Sequence, residues 1–161
     1  YLMAGSPDGV GNVNPVGEYN VWADPEAATA VFDAAGAKTM IGWNISRTYA
    51  VMTPPETERL RSCGRLGRFA VDINADVDKF CRDNGLEGMD FPDPVAMAVA
   101  LDDSIITEAT EERLVVGLDG PTRGATLPDR RIKPEPPNIR VVWRVDEAAF
   151  KDRLYTACSD N

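Results

Sequence analysis

Apolar residues fall along this chain in short clusters between turn residues, and their spacing changes from cluster to cluster. Tyr1-Leu2-Met3-Ala4-Gly5 reads as the tail of a buried strand. A Gly- and Pro-rich loop follows. Asp24 is then placed to cap a helix with Pro25 at its first position, running through Ala27, Val31 and Phe32 and stopping near Gly36. Lys38 to Ile45 reads as a strand, with Met40, Ile41 and Trp43 in an apolar run between turn signals. Thr53-Pro54-Pro55-Glu56 has the form of a capping box opening a short helix to Cys63. Phe69, Ile73, Val77, Phe80 and Cys81 fall on one stripe of a second amphipathic helix that ends at Gly85. Asp93-Pro94 opens a helix that is apolar nearly all round through Leu101, which predicts burial. Arg113 to Leu118 is a strand. Gly117 to Asn138 is rich in Gly and Pro and holds a hairpin turn. Ile139 to Val145 is the last strand, and Asp146 caps a C-terminal helix with Phe150 and Leu154 inward. There is no internal repeat and no clear domain boundary. Strands and helices mix, so the class is α/β.

Composition narrows the function classes. The 161 residues suit one domain or part of a larger one, and the apolar share is that of a globular chain. No apolar run is long enough to span a bilayer. A net charge of −9 argues against a nucleic-acid or anionic-membrane surface. The one basic cluster, Arg130-Arg131-x-Lys133, lies in a Pro-rich loop and reads as solvated. Cys63, Cys81 and Cys158 are odd in number and widely spaced, which fits free thiols in a reducing cytoplasm. The chain has no histidine. That removes Ser-His-Asp and Cys-His catalysis and any His-ligated metal. Carboxylates, amides, hydroxyls and an oxygen-liganded hard cation are left.

The chemistry concentrates in the first loop. Gly11-Asn12, Glu18 and Asn20 precede Asp24-Pro25-Glu26-Ala27-Ala28. Two amides and a carboxylate, each able to make two or more hydrogen bonds, suit a hydroxyl-rich ligand such as a sugar. They follow a strand end, where open α/β sheets bind ligands. Taken singly, each has a plainer use: Asn12 and Asn20 as turn residues, Glu18 as a surface carboxylate. Asp24 is assigned to capping. Asp72-x-Asn74-x-Asp76 imitates the opening of an EF-hand loop. Its sixth position is Val77 where Gly is needed, and its twelfth is Asp83 where Glu is needed. A helix with a polar outer face explains that segment better.

Met3-Ala4-Gly5, Gly11-Asn12, Glu18-x-Asn20 and Asp24 to Ala28 together resemble the nucleoside hydrolases of the inosine–uridine-preferring type, in the same order and spacing. The likeness continues at Ile41-Gly42-Trp43-Asn44-Ile45-Ser46, at Pro92-Asp93-Pro94-Val95-Ala96-Met97-Ala98, and at Thr122-Arg123-Gly124-Ala125-Thr126. It covers nearly the whole chain. The resemblance implies a Rossmann-like, mixed, mostly parallel sheet flanked by helices, with residues 1–161 forming the C-terminal portion of a single nucleoside hydrolase domain whose N-terminal part is missing. It implies hydrolysis of the N-glycosidic bond of ribonucleosides, dependent on Ca²⁺ in the intact protein, through an oxocarbenium-like transition state.

By the same resemblance, Asn12 and Glu18 hold the 5′ side of the ribose, Asn20 lies near the diol and the metal, and Asp93 is a Ca²⁺ ligand. Asp93 can equally be an ordinary helix cap. Met3 either flanks the ribose or belongs to the core. The family's Asp-x-Asp-x-Gly-x-Asp-Asp metal loop is absent, so the catalytic base and most metal ligands are expected upstream of Tyr1, and the chain alone is expected to be inactive. Pro92 stands where many members carry a His that helps protonate the leaving base. That loss slightly favours purines, whose N7 can be protonated. Asn44, where Asp is frequent, and Arg47, where His is common, are lesser departures. The intact protein is expected to be a cytoplasmic homo-oligomer, dimer or tetramer, acting on a ribonucleoside, with no nucleic-acid or membrane partner. The alternative is a non-catalytic nucleoside- or ribose-binding protein that has lost the metal loop.

Overall fold

The structure is a computed structural model and describes residues 1–160. Its elements in chain order are β1 (Leu2–Met3), α1 (Tyr19–Ala23), α2 (Pro25–Asp33), β2 (Thr39–Ile41), α3 (Trp43–Tyr49), β3 (Val51–Met52), α4 (Pro54–Ser62), α5 (Arg65–Asp72), α6 (Ala75–Asp83), β4 (Met89–Asp90), α7 (Pro92–Leu101), β5 (Ile106–Glu112), β6 (Leu114–Val116), β7 (Thr126–Pro128), β8 (Ile139–Val145) and α8 (Glu147–Ala157). Contacts group these into two compact units. The first holds Tyr1–Ile45 and Ile106–Val145, and the second Ser46–Ile105 and the residues from Asp146 onward. The boundary near residue 45 falls inside α3.

The first unit is built on a sheet of order β1-β2-β8-β5. β1 runs parallel to β2, with Leu2 opposite Met40, and β2 runs parallel to β8, with Met40 opposite Val141. β5 closes the sheet antiparallel to β8, with irregular register between Ile106 and Ala109. The fold is thus α/β, as the mix of strands and helices predicts, with the mostly parallel sheet that the resemblance implies. Val21, Phe32, Met40, Leu114, Val116, Ile139 and Val141 form its core. β8 spans the residues expected of it, and β6 and β7 form the expected hairpin. β5 has no counterpart in the sequence reading. Its residues Thr107, Glu108, Glu111 and Glu112 are polar, and most of the strand faces solvent.

Two corrections concern this unit. The strand expected over Lys38 to Ile45 stops at Ile41. After Gly42 the chain turns into α3: the Trp43 amide donates to the Gly5 carbonyl (2.8 Å) and the Ile45 amide to the Gly42 carbonyl (2.9 Å). The apolar run is therefore split between a strand and a helix. The short helix α1 lies within the segment read as loop. α2 starts as expected, with the Asp24 carboxylate accepting from the Ala27 amide at 2.9 Å.

In the second unit, α4 opens on the expected box, the Glu56 carboxylate accepting from both the amide (2.9 Å) and the hydroxyl (2.7 Å) of Thr53. The amphipathic helix expected to reach Gly85 is two helices, α5 and α6, broken at Ile73-Asn74. Of its apolar stripe only Cys81 is buried: Phe69, Ile73, Val77 and Phe80 face outward, Phe69 and Phe80 each 61% exposed, and Val71, outside the stripe, is buried with Cys81. α7 is buried through Val95, Ala96, Ala98 and Val99, but Met97 and Leu101 are exposed, so burial all round does not hold. Asp93 is not the cap of α7. That position belongs to Phe91, and Pro92 and Asp93 lie in the first turn. α8 begins at Asp146, whose carboxylate accepts from the Ala149 amide at 3.0 Å, and Phe150 is fully buried. Lys151 of α8 lies 2.7 Å from both Glu56 and Glu147. Among the described residues, no helix is long and apolar enough to cross a membrane.

Candidate functional site

The loop between β1 and α1 closes on itself before it offers anything to a ligand. The Gly11 amide donates to the Pro15 carbonyl (3.1 Å) and the Asn12 amide to the Gly17 carbonyl (3.1 Å). Asn14 is the staple: its Oδ1 accepts from the amides of Val16 (3.0 Å) and Gly17 (2.6 Å), and its Nδ2 donates to the Arg123 carbonyl (2.8 Å). Gly17 also bridges to Ala125. The turn Thr122 to Thr126 therefore backs the loop. Thr126 Oγ1 accepts from the Ser6 amide at 2.9 Å, and Arg123 pairs with Glu26 at 3.1 Å. The Arg123 hydrogen bond lowers the Glu26 carboxyl below its usual range. Gly5 stands at φ +72°, and a Cβ there would meet Thr126 Cγ2 at 2.7 Å. Only glycine fits that approach.

Glu18 organises the strand end. It is only 2% exposed. Its Oε2 accepts from the amides of Gly5 (2.8 Å) and Val21 (3.3 Å), and its Oε1 accepts from the Asn20 amide (2.9 Å). It is the N-cap of α1 and ties that helix to the turn after β1. Asn20 then reaches back, its Nδ2 donating to the Met3 carbonyl at 3.2 Å and lying 3.3 Å from Met3 Sδ. Asn12 joins through the Tyr19 amide, which donates to its Oδ1 at 2.9 Å. Met3, Asn12, Glu18 and Asn20 are thus brought together in one hydrogen-bonded cluster at the carboxyl end of β1. Among the described residues, the Asn12 Nδ2 and the Asn20 Oδ1 make no hydrogen bond, and both residues are exposed. One is a donor and the other an acceptor. Together they can hold a hydroxyl-bearing ligand from both sides of its hydrogen-bonding capacity.

Asp93 belongs to the second unit. It is exposed in the first turn of α7 and lines a cavity of about 350 Å³ with Asn74, Asp90 and Pro92. Among the described residues, no three His, Cys, Asp or Glu side chains gather as a metal site. Asp93 therefore fits a hard cation as one oxygen donor of a set that roughly numbers 6–8.

Asn14 and Thr126 escaped the sequence reading as supports of the site. Asn14 carried a signal, an Asn-Pro pair inside a turn-rich loop. Thr126 sat in a motif noted for its resemblance, but its closeness to Ser6 is a long-range contact with no local trace.

A sequence profile of the family described as inosine-uridine preferring nucleoside hydrolase matches residues 1–152. The chain belongs to that family. Among its relatives is the pyrimidine-specific ribonucleoside hydrolase RihA of Klebsiella pneumoniae, 30% identical over 95% of this chain and 50% of that protein. The inosine-uridine preferring nucleoside hydrolase of Crithidia fasciculata is 31% identical over 87% of this chain and 45% of its own length. A solved purine-preferring ribonucleoside hydrolase from Gardnerella vaginalis superposes with a TM-score of 0.83 at 31% identity, over 97% of this chain and 50% of that one. This nucleoside hydrolase chain spans about half the length of the curated relatives it matches.

Proposed function

We propose that the intact protein hydrolyses the N-glycosidic bond of ribonucleosides to free base and ribose. The observation that carries this reading is the pair of uncommitted amide groups, Asn12 Nδ2 and Asn20 Oδ1, fixed beside Met3 at a strand end by the buried Glu18. Asn20 Oδ1 accepts from a ribose hydroxyl and Asn12 Nδ2 donates to one. A carboxylate has about four acceptor sites. Glu18 has given three to backbone amides, so it has one left for the sugar and acts chiefly by holding Asn20 in place. Met3 flanks the ring.

Asp93 would supply one ligand to a Ca²⁺ ion, and the other ligands and the carboxylate that takes the proton of the attacking water would come from outside residues 1–161. The chemistry such an ion would supply is a more acidic and more nucleophilic water. The residues of this chain bind and orient the ribose while positive charge develops at its anomeric carbon. Pro92 has no proton to give the departing base. The intact protein is cytoplasmic and a homo-oligomer, dimer or tetramer, in this reading.

The test is to assay the intact protein with Ca²⁺ on inosine, adenosine, guanosine, uridine and cytidine, following released base. Release that falls by tenfold or more in Asn20→Ala supports the reading. Tight binding of nucleosides with no release would replace it with the non-catalytic binding protein.

A further inference from the structure

Helices α4 and α8, both in the second unit, meet in parallel register. Lys151 Nζ lies 2.7 Å from Glu56. About one turn further along both helices, the Arg59 guanidinium stacks 3.9 Å over the Tyr155 ring. At their carboxyl ends the Asp160 amide donates to the Cys63 carbonyl at 3.2 Å. Residue numbers climb together along this contact, so each pairing fixes the next. Two turns of helix take about seven residues. Counting that far from Glu56 reaches Cys63, and counting as far from Lys151 reaches Cys158. The two cysteines stand at the C-caps of α4 and α8, both still in helical backbone conformation, so neither has left its row. Asp160 ties the two ends together. Its carboxylate accepts from the Arg65 amide at 3.1 Å and packs on Gly64, where a Cβ would collide with it. Cys63 and Cys158 are free and half-buried, whereas Cys81 is buried.

We propose that Cys63 and Cys158 form a dithiol modification site that reacts with a disulfide-class oxidant, such as glutathione disulfide, and closes reversibly into a disulfide joining α4 to α8. The proposal does not depend on the nucleoside hydrolase reading. In the first step one cysteine thiolate attacks the oxidant. A protein–glutathione sulfur bond forms, the oxidant's own sulfur bond breaks, and one glutathione leaves as a thiolate that takes up a proton. In the second step the other cysteine thiolate attacks the first cysteine's sulfur, and the second glutathione leaves in the same way. The protein gives up two electrons and two protons, and the oxidant receives them. Burial first, and the neighbouring Cys63 second, raise the Cys158 thiol above its usual 9.0, as two groups that compete to ionise at close range do. A disulfide needs Cα atoms roughly 4.4–6.8 Å apart, and helix ends are where backbone fraying lets a chain adjust. Closure gives up only the weak bond from Cys63 Sγ to the Arg59 carbonyl, at 3.4 Å. Disulfides of a reducing compartment are transient and serve catalysis or redox sensing.

The experiment incubates the folded, intact protein with glutathione disulfide, blocks remaining thiols with iodoacetamide and maps its peptides by mass spectrometry without reductant. The expected result is a cross-linked peptide joining Cys63 to Cys158, lighter by two hydrogens than its free parts and separated by dithiothreitol. The bond spans a long stretch of chain and restricts the unfolded state, so the oxidised protein is expected to melt several degrees higher. Cys63→Ser and Cys158→Ser should each leave the other cysteine as a mixed disulfide with glutathione and abolish that rise. Cys81→Ser should leave the cross-link intact. Phenylarsine oxide, which bridges two neighbouring thiols, should protect both cysteines of wild type from alkylation and the remaining one of either serine variant far less. Separate glutathione adducts on Cys63 and Cys158 with no cross-linked peptide would overturn the proposal, and so would recovery of both thiols unmodified. Those two outcomes are read on wild type and need no variant to fold. A cross-link that forms only in urea would also overturn it, since the folded helices would then not bring the thiols together.

Discussion

Glu18 and Asn20 are neighbours in one motif, yet they do different work, and mutation should separate them. Glu18 satisfies three backbone amides from a buried position. Removing a charged acceptor that buried donors depend on costs about 1.5–3 kcal/mol. Glu18→Ala is therefore expected to lower the unfolding free energy by that much, seen as a lower urea midpoint at unchanged slope, and to lower activity as a consequence. Asn20 is exposed and, among the described residues, makes side-chain bonds only to Met3. Asn20→Ala should stay within roughly 0.5 kcal/mol of wild type in the same unfolding experiment, while nucleoside hydrolysis by the intact protein falls. Equal destabilisation by the two variants would show that Asn20 is a structural residue. The sequence displayed these side chains but not their division of labour. A carboxylate three residues ahead of Val21 looks the same on paper whether it meets sugar or backbone.

At the scale of elements, the α4–α8 contact is where pH should act. Burial pushes the Glu56 carboxyl up, but its bonds from Lys151 and Thr53 outweigh that and leave it below the usual 4.5. Burial likewise pushes Lys151 down, and its bonds to Glu147 and Glu56 outweigh it, leaving the amine above the usual 10.5. A depressed carboxyl stabilises fully above its unfolded value and loses that contribution as pH falls through the lower folded value. A raised amine stabilises fully below its unfolded value and loses it as pH climbs through the higher folded one. Thermal melts should accordingly show the pair's contribution between about pH 4.5 and 10.5 and lose it on both sides, and Glu56→Gln should flatten the acid limb. An unchanged acid limb in that variant would assign acid sensitivity elsewhere.

Elements with local signals were legible: the Asp24, Thr53 and Asp146 helix starts, the β6–β7 hairpin and β8 all stand where the pattern puts them. Asp24→Ala should therefore cost about 1 kcal/mol, read by chemical unfolding. Elements fixed by distant contacts were not legible. β5 is a strand because β8 pairs with it, despite its run of Thr and Glu. Trp43 starts a helix because Gly5, far behind it in the chain, accepts its amide. The outward stripe of α5 and α6 shows the same limit: periodicity reports that an apolar face exists, not which side of the helix is covered.

For the whole molecule, the 161-residue chain by itself is expected not to release base from any nucleoside. Asp93 alone holds a hard cation weakly, since such ions take roughly 6–8 oxygens. The assay is base release from the five common ribonucleosides at millimolar Ca²⁺. Metal-dependent turnover that Asp93→Ala abolishes would show a complete site within this chain. Of the site residues, the grouping of Met3, Asn12, Glu18 and Asn20 at one strand end was legible from motif order. The cavity at Asp93 was not, because Asn74 and Asp93 come to line it through folding and share no motif.

The strand order of the sheet also sets a schedule. β2 pairs with β8, so Thr39 must find Arg140, about 100 residues further along, and pairings so remote in sequence fold slowly. On the ribosome, Met40 and Ile41 emerge about 100 residues ahead of their β8 partners and must wait, with one side of their strand unpaired, until residue 145 has been added and released from the exit tunnel. Half of this sheet is made long before its central pairing can exist, and during that interval the nascent chain depends on whatever shields an apolar, unpaired strand.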